Sequence, residues 1–224
     1  MKTALRVSAS MLYGLALYGA LVFIPAGTLH YWQGWVFVAI AMGMTIASTV
    51  LLAVANPAAL QRRMRGGPRA EKRAVQKILV TGVFLSAIAV MAFSAFDHRM
   101  RWSTVPAWVC VIGDVLVALG LGFASLVVIQ NAYAAATITV EEGQTLATDG
   151  VYKVVRHPMY AGAIVMMLGT ALALGSYWGL LIVAFGVLVF VLRIRDEENL
   201  LNQELRGYRD YTQQVPYRLV PHIW

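Results

Sequence analysis

Four long apolar blocks, the first three closed by Pro, Gly or a run of charge, fill the first 130 residues and leave few folds open to this chain. They cover residues 7–24, 32–54, 78–96 and 105–129, and a block approaching about 20 apolar residues is long enough to cross a hydrocarbon core. The first stops at Pro25-Ala26-Gly27 and the second at Asn56-Pro57, pairs that punctuate helices. A fifth apolar stretch, 159–192, is broken by Gly175-Ser176-Tyr177-Trp178-Gly179 into arms of about 16 and 13 residues, which predicts a tight helical hairpin. Its second arm continues as a polar helix. Only 13% of the residues are charged and 59% are hydrophobic, against roughly 25% charge in a soluble domain, so lipid must cover what a core cannot. The expected fold is all-α: a polytopic integral membrane helical bundle of about five to six transmembrane helices. Residues 1–130 form a four-helix transmembrane region and 131–224 a C-terminal region with the hairpin and tail.

Charge sets the topology. The segment 56–77 carries Arg62, Arg63, Arg65, Arg69, Lys72, Arg73 and Lys77 against one acid, Glu71, which marks it as cytoplasmic. With the N-terminus inside, the chain makes six crossings, or four plus a partly inserted hairpin, and both termini are cytoplasmic. Arg99 and Arg101, in a polar turn at 97–101, are then the only Lys or Arg outside, and Trp102 and Trp108 suit an interfacial belt. The segment 130–158 is a cytoplasmic connection whose fragment 137–140 is too short to span. Lys2 and Arg6 precede the first block without a small-residue cleavage site, so that block is read as a span and not as a secretory signal. The expected location is a bacterial inner membrane. The formal charge of +7 is spread between apolar blocks and does not line one surface with aromatics, which argues against nucleic acid. Cys110 stands alone, and His30, His98 and His222 are scattered, so neither a disulfide nor a metal site is expected. No inverted duplication of the transporter kind is visible.

Three places carry polar chemistry. Asp114 interrupts the fourth block, and an intramembrane carboxylate is a functional candidate because of its cost. The run from Gly150 to Gly162 opens the fifth apolar helix, with Pro158 suited to its first turn. There Arg156, His157, Tyr152, Tyr160 and free backbone N–H groups gather at the membrane surface, fit either for a polar anionic or zwitterionic ligand or for anchoring at headgroups. The third place is Arg193-Ile194-Arg195-Asp196-Glu197-Glu198, where Arg193 and Glu197 share a helix face at i, i+4. Alone it reads equally as a solvated ion-pair ladder. A hairpin, however, brings the bases of its two helices together, so Arg156, His157, Arg193 and Glu197 should converge.

The pattern Gly-x-Tyr-x-x-x-Arg-His-Pro-x-Tyr-x-Gly from Gly150 to Gly162, followed by Arg193, Glu197-Glu198, Leu201, Tyr208, Tyr211, Val215-Pro216 and Pro221, resembles the isoprenylcysteine carboxyl methyltransferase family and its membrane relatives, including phospholipid N-methyltransferases. The resemblance covers roughly the last third of the chain. It implies a cytoplasmic pocket for S-adenosyl-L-methionine, with S-adenosylhomocysteine as product, and a lipophilic or small-molecule methyl acceptor reached from membrane lipid. It further implies cofactor binding by Tyr152, Val155, His157, Pro158, Tyr160, Gly162, Glu197 and Glu198, catalysis by Arg193 supported by Arg156, and no metal. Two features depart from the family: the Phe-Gly before the tyrosines is missing around Glu204-Leu205, and Gln214 stands where an arginine is common. Carboxyl O-methylation of an isoprenylcysteine-like compound is the leading expectation. Phospholipid N-methylation and small-thiol S-methylation are alternatives. Membrane sterol reductases that use NADPH share the same C-terminal motifs, and a non-enzymatic scaffold or transporter, its basic segment on anionic lipid, is the remaining reading.

Overall fold

The computed structural model describes residues 2–65, 71, 73–131, 133–134 and 145–224, with side chains from residue 12 onward and without that of Arg65. The fragment 137–140, Glu141, Glu142, Arg69 and Lys72 lie outside the described residues. Within them the regular structure is helical: α1 (Lys2–Ala26), α2 (Trp32–Ala55), α3 (Pro57–Arg65), α4 (Ala74–Met100), α5 (Ala107–Gln130), a 3-10 turn (Gly150–Lys153), α6 (Pro158–Ala173), α7 (Gly179–Glu204) and α8 (Tyr208–Gln214). Among the described residues three helices, α2, α4 and α5, are long and apolar enough to cross a membrane, and Leu12–Ala26 and Pro158–Ala173 are shorter apolar helical stretches. Large apolar side chains such as Val54 and Ile78 stand 80% and 71% exposed, a surface that only lipid covers without penalty. The chain is an integral membrane protein with a helical bundle.

Two local expectations are corrected. Residues 97–101 are not a free polar turn: α4 runs through to Met100, because Arg101 adopts the left-handed conformation (φ 56°) and its N–H closes on the Asp97 and His98 carbonyls. The basic segment after residue 56 opens as a helix, not a loop. Asn56 ends α2, and its side-chain oxygen accepts from the Ala59 N–H at 3.0 Å, capping α3, which Pro57 begins.

The hairpin forms as its sequence implies, with arms of 16 and 26 residues. The apolar part of α7, up to Arg193, is about 21 Å long at 1.5 Å per residue, shorter than a hydrocarbon core of about 30 Å. Small residues decide how closely α6 lies on α5. Gly113 and Gly120 on α5 face Gly162 and Gly169 on α6; a Cβ on Gly113 would run into the Leu172 and Ala173 backbone, and one on Gly120 would come within 2.6 Å of the Gly162 carbonyl. Each pair is seven residues apart, two helical turns, so one face of each helix is cut back for backbone contact. The α4–α7 contact is tightened the same way at Gly179 and Gly186, against Ser94 and Ser86. The core between these pairs holds Phe37, Val90, Val117, Met167, Val183 and Phe190.

Candidate functional site

The site lies at the charged end of the hairpin, where α6 begins and the apolar part of α7 gives way to polar residues. Residues 156–157 are held extended by the C-terminal tail: the Arg156 N–H donates to the Tyr217 carbonyl at 3.0 Å and the His157 N–H to the Arg218 carbonyl at 2.9 Å. Pro158 then starts α6. Upstream, Gly150 has φ 59° and leaves no room for a Cβ beside the Gln130 amide, whose oxygen accepts from the Val151 N–H at 3.1 Å. That turn fixes Tyr152, whose carbonyl accepts from the Tyr211 hydroxyl at 2.7 Å and whose hydroxyl accepts from the Asn131 amide at 3.1 Å. Tail, turn and helix start are therefore one hydrogen-bonded unit.

The two adjacent carboxylates are used differently. Glu198 is buried (6% exposed) and saturated: Oε1 accepts from Arg156 Nε at 2.8 Å and His157 Nε2 at 3.2 Å, and Oε2 from Arg218 Nε at 2.8 Å. A carboxylate only accepts, so His157 carries its proton on Nε2. Arg156 also donates through Nη1 to the Val215 and Pro216 carbonyls at 2.8 and 3.0 Å, tying the tail to the hub. Burial opposes ionisation of Glu198, but the hydrogen bonds from His157, Arg156 and Arg218 outweigh it and bring the carboxyl down to about 2. Glu197 has one close hydrogen bond among the described residues, from the Tyr160 hydroxyl to Oε2 at 2.7 Å, with His157 Nδ1 3.8 Å from the same oxygen.

Around Glu197 opens a cleft that is partly continuous with solvent. Its polar side is made by Glu197, His157, Tyr160 and Asn131, and its apolar side by Met159, Leu146, Leu201 and Leu205. The His157 and Tyr160 rings are near parallel, 14° apart with centroids 5.7 Å apart. Tyr208 also lines the cleft, and its buried hydroxyl has no hydrogen-bond partner among the described residues. Burial pushes the Tyr152 phenol up to about 12. Burial, then the charges of Glu198 and Glu197, pushes that of Tyr208 up as well. Both phenols remain protonated donors at neutral pH.

Of the residues expected at the site, Tyr152, Arg156, His157, Pro158, Tyr160 and Glu197 line this cleft. Four others do not. Glu198 sits behind Arg156 and His157 as the hub. Val155 is buried at 5% exposure, and Gly162 faces the α5 backbone and Phe123. Arg193, 3% exposed, reaches the cleft only through Tyr160: its Nε donates to the Tyr160 hydroxyl at 3.0 Å while Nη2 pairs with Glu71 Oε1 at 3.1 Å. Tyr208 and Tyr211 belong to the lining although sequence reasoning used them only as pattern residues; their spacing, one helical turn, was the available signal. Asn131, Tyr133 and Met159 carry no signal that would have singled them out. Asp114 lies along a separate apolar groove with Val36 and Ile40 of α2.

Residues 108–206 match the family described as phospholipid methyltransferase. Among characterised proteins, the chain is 33% identical over 115 residues to protein-S-isoprenylcysteine O-methyltransferase B of Arabidopsis thaliana, covering 47% of this chain and 53% of that protein. It is 33% identical over 93 residues to the Delta(14)-sterol reductase TM7SF2 of Mus musculus, covering 39% of this chain and 22% of the reductase. It is 27% identical over 165 residues to the cobalt-zinc-cadmium resistance protein CzcN of Cupriavidus metallidurans, covering 72% of this chain and 69% of that protein. The chain thus spans about half of the plant methyltransferase and about a fifth of the reductase.

Proposed function

We propose that this chain, which is similar to the phospholipid methyltransferase family and to a protein-S-isoprenylcysteine O-methyltransferase, is a membrane methyltransferase that methylates a lipophilic acceptor with S-adenosylmethionine at the cytoplasmic face of a bacterial inner membrane. The observation that carries the reading is the composition of one cleft: a carboxylate with spare accepting capacity, two near-parallel rings, a phenol with no hydrogen-bond partner among the described residues and an apolar wall. Those groups fit a nucleoside that bears an ammonium and a sulfonium. Glu197 would take the ammonium or the ribose hydroxyls, His157 and Tyr160 would face the cationic sulfur or the base, and Tyr208 would donate to a polar edge. When bound, the cofactor supplies an already activated methyl group.

The protein's own part is then positioning and exclusion of water. Tyr152 and Pro158 shape the wall, and Glu198 holds Arg156, His157 and Arg218 in place from behind. Residues 131–224 carry this machinery, and residues 1–130 present it to the lipid. Bases are few among the described residues of the cleft: Glu198 is saturated, Glu197 is assigned to the cofactor, and the Nδ1 lone pair of His157 is what is left. An acceptor that arrives as an anion, the carboxylate of an isoprenylcysteine-like compound or a thiolate, suits such a site better than an ammonium that must first lose a proton. Arg156 lines the cleft as its one arginine among the described residues and is the cation an anionic acceptor would meet.

A second reading, a nicotinamide-dependent reductase, is favoured by the match to the sterol reductase. Calorimetry on detergent-purified protein separates the two. Saturable binding of S-adenosylhomocysteine with none of NADPH is expected; the reverse result overturns the methyltransferase reading. Methyl transfer from labelled cofactor into an extract of lipids and thiols would then identify the acceptor.

A further inference from the structure

We infer that Glu71, which lies just ahead of α4 and outside the family-matched residues 108–206, is a positioning residue for the cleft, acting on Glu197 through Arg193 and Tyr160. The inference rests on the cleft being the cofactor site. The chain of contacts is short and directional. Glu71, with a side chain 0% exposed, pairs through Oε1 with Arg193 Nη2 at 3.1 Å; Arg193 Nε donates to the Tyr160 oxygen at 3.0 Å; and the Tyr160 hydroxyl donates to Glu197 Oε2 at 2.7 Å. A guanidinium has donors and no acceptor, so the phenol must accept from Arg193 and can send its own proton only elsewhere, to Glu197. One oxygen of Glu197 is thereby oriented, and the other is left to the cleft.

The importance of Glu71 follows from the alternative. Arg193 is buried and charged, and a buried cation requires a counter-charge. If Glu71 is neutralised, the nearest carboxylate on the same helix face is Glu197, four residues along α7 and already joined to the arginine through a single phenol. Arg193 would then pair with Glu197 directly, displacing the Tyr160 hydroxyl and consuming the carboxylate meant for the ligand. The segment that carries Glu71 is also pinned to α7 close by, where Asp196 accepts from Arg73 Nη2 at 2.9 Å and from the Gln76 amide. Glu71 is the single acid of the basic segment 56–77, and composition alone would assign it to solvent.

A double-mutant cycle tests this, with S-adenosylhomocysteine affinity read by calorimetry and thermal stability read without ligand, in wild type, Glu71→Gln, Tyr160→Phe and the double variant. Glu71→Gln should lower affinity about tenfold in the wild-type background, the scale of one charge-assisted hydrogen bond, yet change it less than about twofold once Tyr160 has lost its hydroxyl. Stability should fall equally in both backgrounds. Glu71→Asp, which keeps the charge, should fold and recover most of the affinity; if Glu71→Gln alone fails to fold, Glu71→Gln combined with Arg193→Gln, which leaves no buried charge of this pair unpaired, takes its place in the cycle. Equal affinity losses in both backgrounds, or no loss, overturn the positioning role while leaving the cofactor reading intact. Failure of the wild type to bind S-adenosylhomocysteine removes the cofactor reading and this inference with it.

Discussion

The two ends of the α6–α7 hairpin both place a carboxylate against the hairpin, and they use it to opposite effect. At the turn, Asp97 accepts from the Ser103 N–H at 2.9 Å, the Ser103 hydroxyl at 2.6 Å and the Ser176 hydroxyl, while the Tyr31 hydroxyl donates to the Leu174 carbonyl at 2.6 Å. Both oxygens of Asp97 are consumed in closing the bend. At the charged end, Glu198 is consumed in the same way by Arg156, His157 and Arg218, but its neighbour Glu197 faces a cleft with one close hydrogen bond. Saturation of the carboxylate, and not its position in a motif, separates the structural acid from the cleft-facing one. Glu198 has more in common with Asp97, at the far end of the hairpin, than with the residue beside it.

The sharpest way to break this comparison is Glu198→Ala. It leaves Arg156 buried without its carboxylate and unties the tail, and should cost about 3–5 kcal/mol, measured by denaturant unfolding in detergent. A variant that lost ligand binding with stability intact would put Glu198 in the cleft and end the distinction. Acid probes the same hub without mutation. The folded Glu198 carboxyl sits at about 2 against an ordinary 4.5, so the unfolded chain takes up the proton first. Its contribution is complete above about pH 5 and is lost as pH falls toward 2. In Glu198→Ala that limb of the stability curve should flatten. Next in size is Glu197→Gln, which keeps an acceptor for Tyr160 but removes the charge. S-adenosylhomocysteine affinity should drop about ten- to a hundredfold, and unfolding should hardly change.

Much of this division was hidden in the sequence for a physical reason. Periodicity and punctuation gave α1, α2, α5 and the hairpin, because length and apolarity are local properties of the chain. They missed α3 and the last turn of α4, where an Asn56 side-chain cap and a left-handed Arg101 decide the boundary. At the site, convergence of Arg156, His157 and Glu197 followed from the hairpin alone. Which of two consecutive glutamates would be saturated did not, because the deciding partner, Arg218, arrives from a tail whose path depends on tertiary contacts with residues 156–157. The placement of Arg193 behind Tyr160 was equally illegible, since its counter-charge, Glu71, is more than a hundred residues away in the chain.

The smallest expected effect lies at the turn. Asp97→Asn keeps the shape of the side chain and one carbonyl oxygen, but sets an NH₂ group among three donors: the Ser103 N–H, the Ser103 hydroxyl and the Ser176 hydroxyl. If the amide oxygen takes the Ser103 N–H, the amide nitrogen faces both hydroxyls, and each can rotate to accept because hydroxyl hydrogens are free to turn. The Ser103 hydroxyl also accepts from the Tyr177 N–H at 3.0 Å, and the Ser176 hydroxyl from the Gly179 N–H at 2.8 Å, so rotation crowds their remaining lone pairs. The net cost should be about 1–2 kcal/mol, one charged hydrogen bond weakened without an unpaired buried ion left behind. S-adenosylhomocysteine affinity should be unchanged, because the bend and the cleft are at opposite ends of rigid helices. An affinity loss in this variant would mean that the turn transmits strain along α6 to Tyr160, and the two ends could no longer be treated as independent.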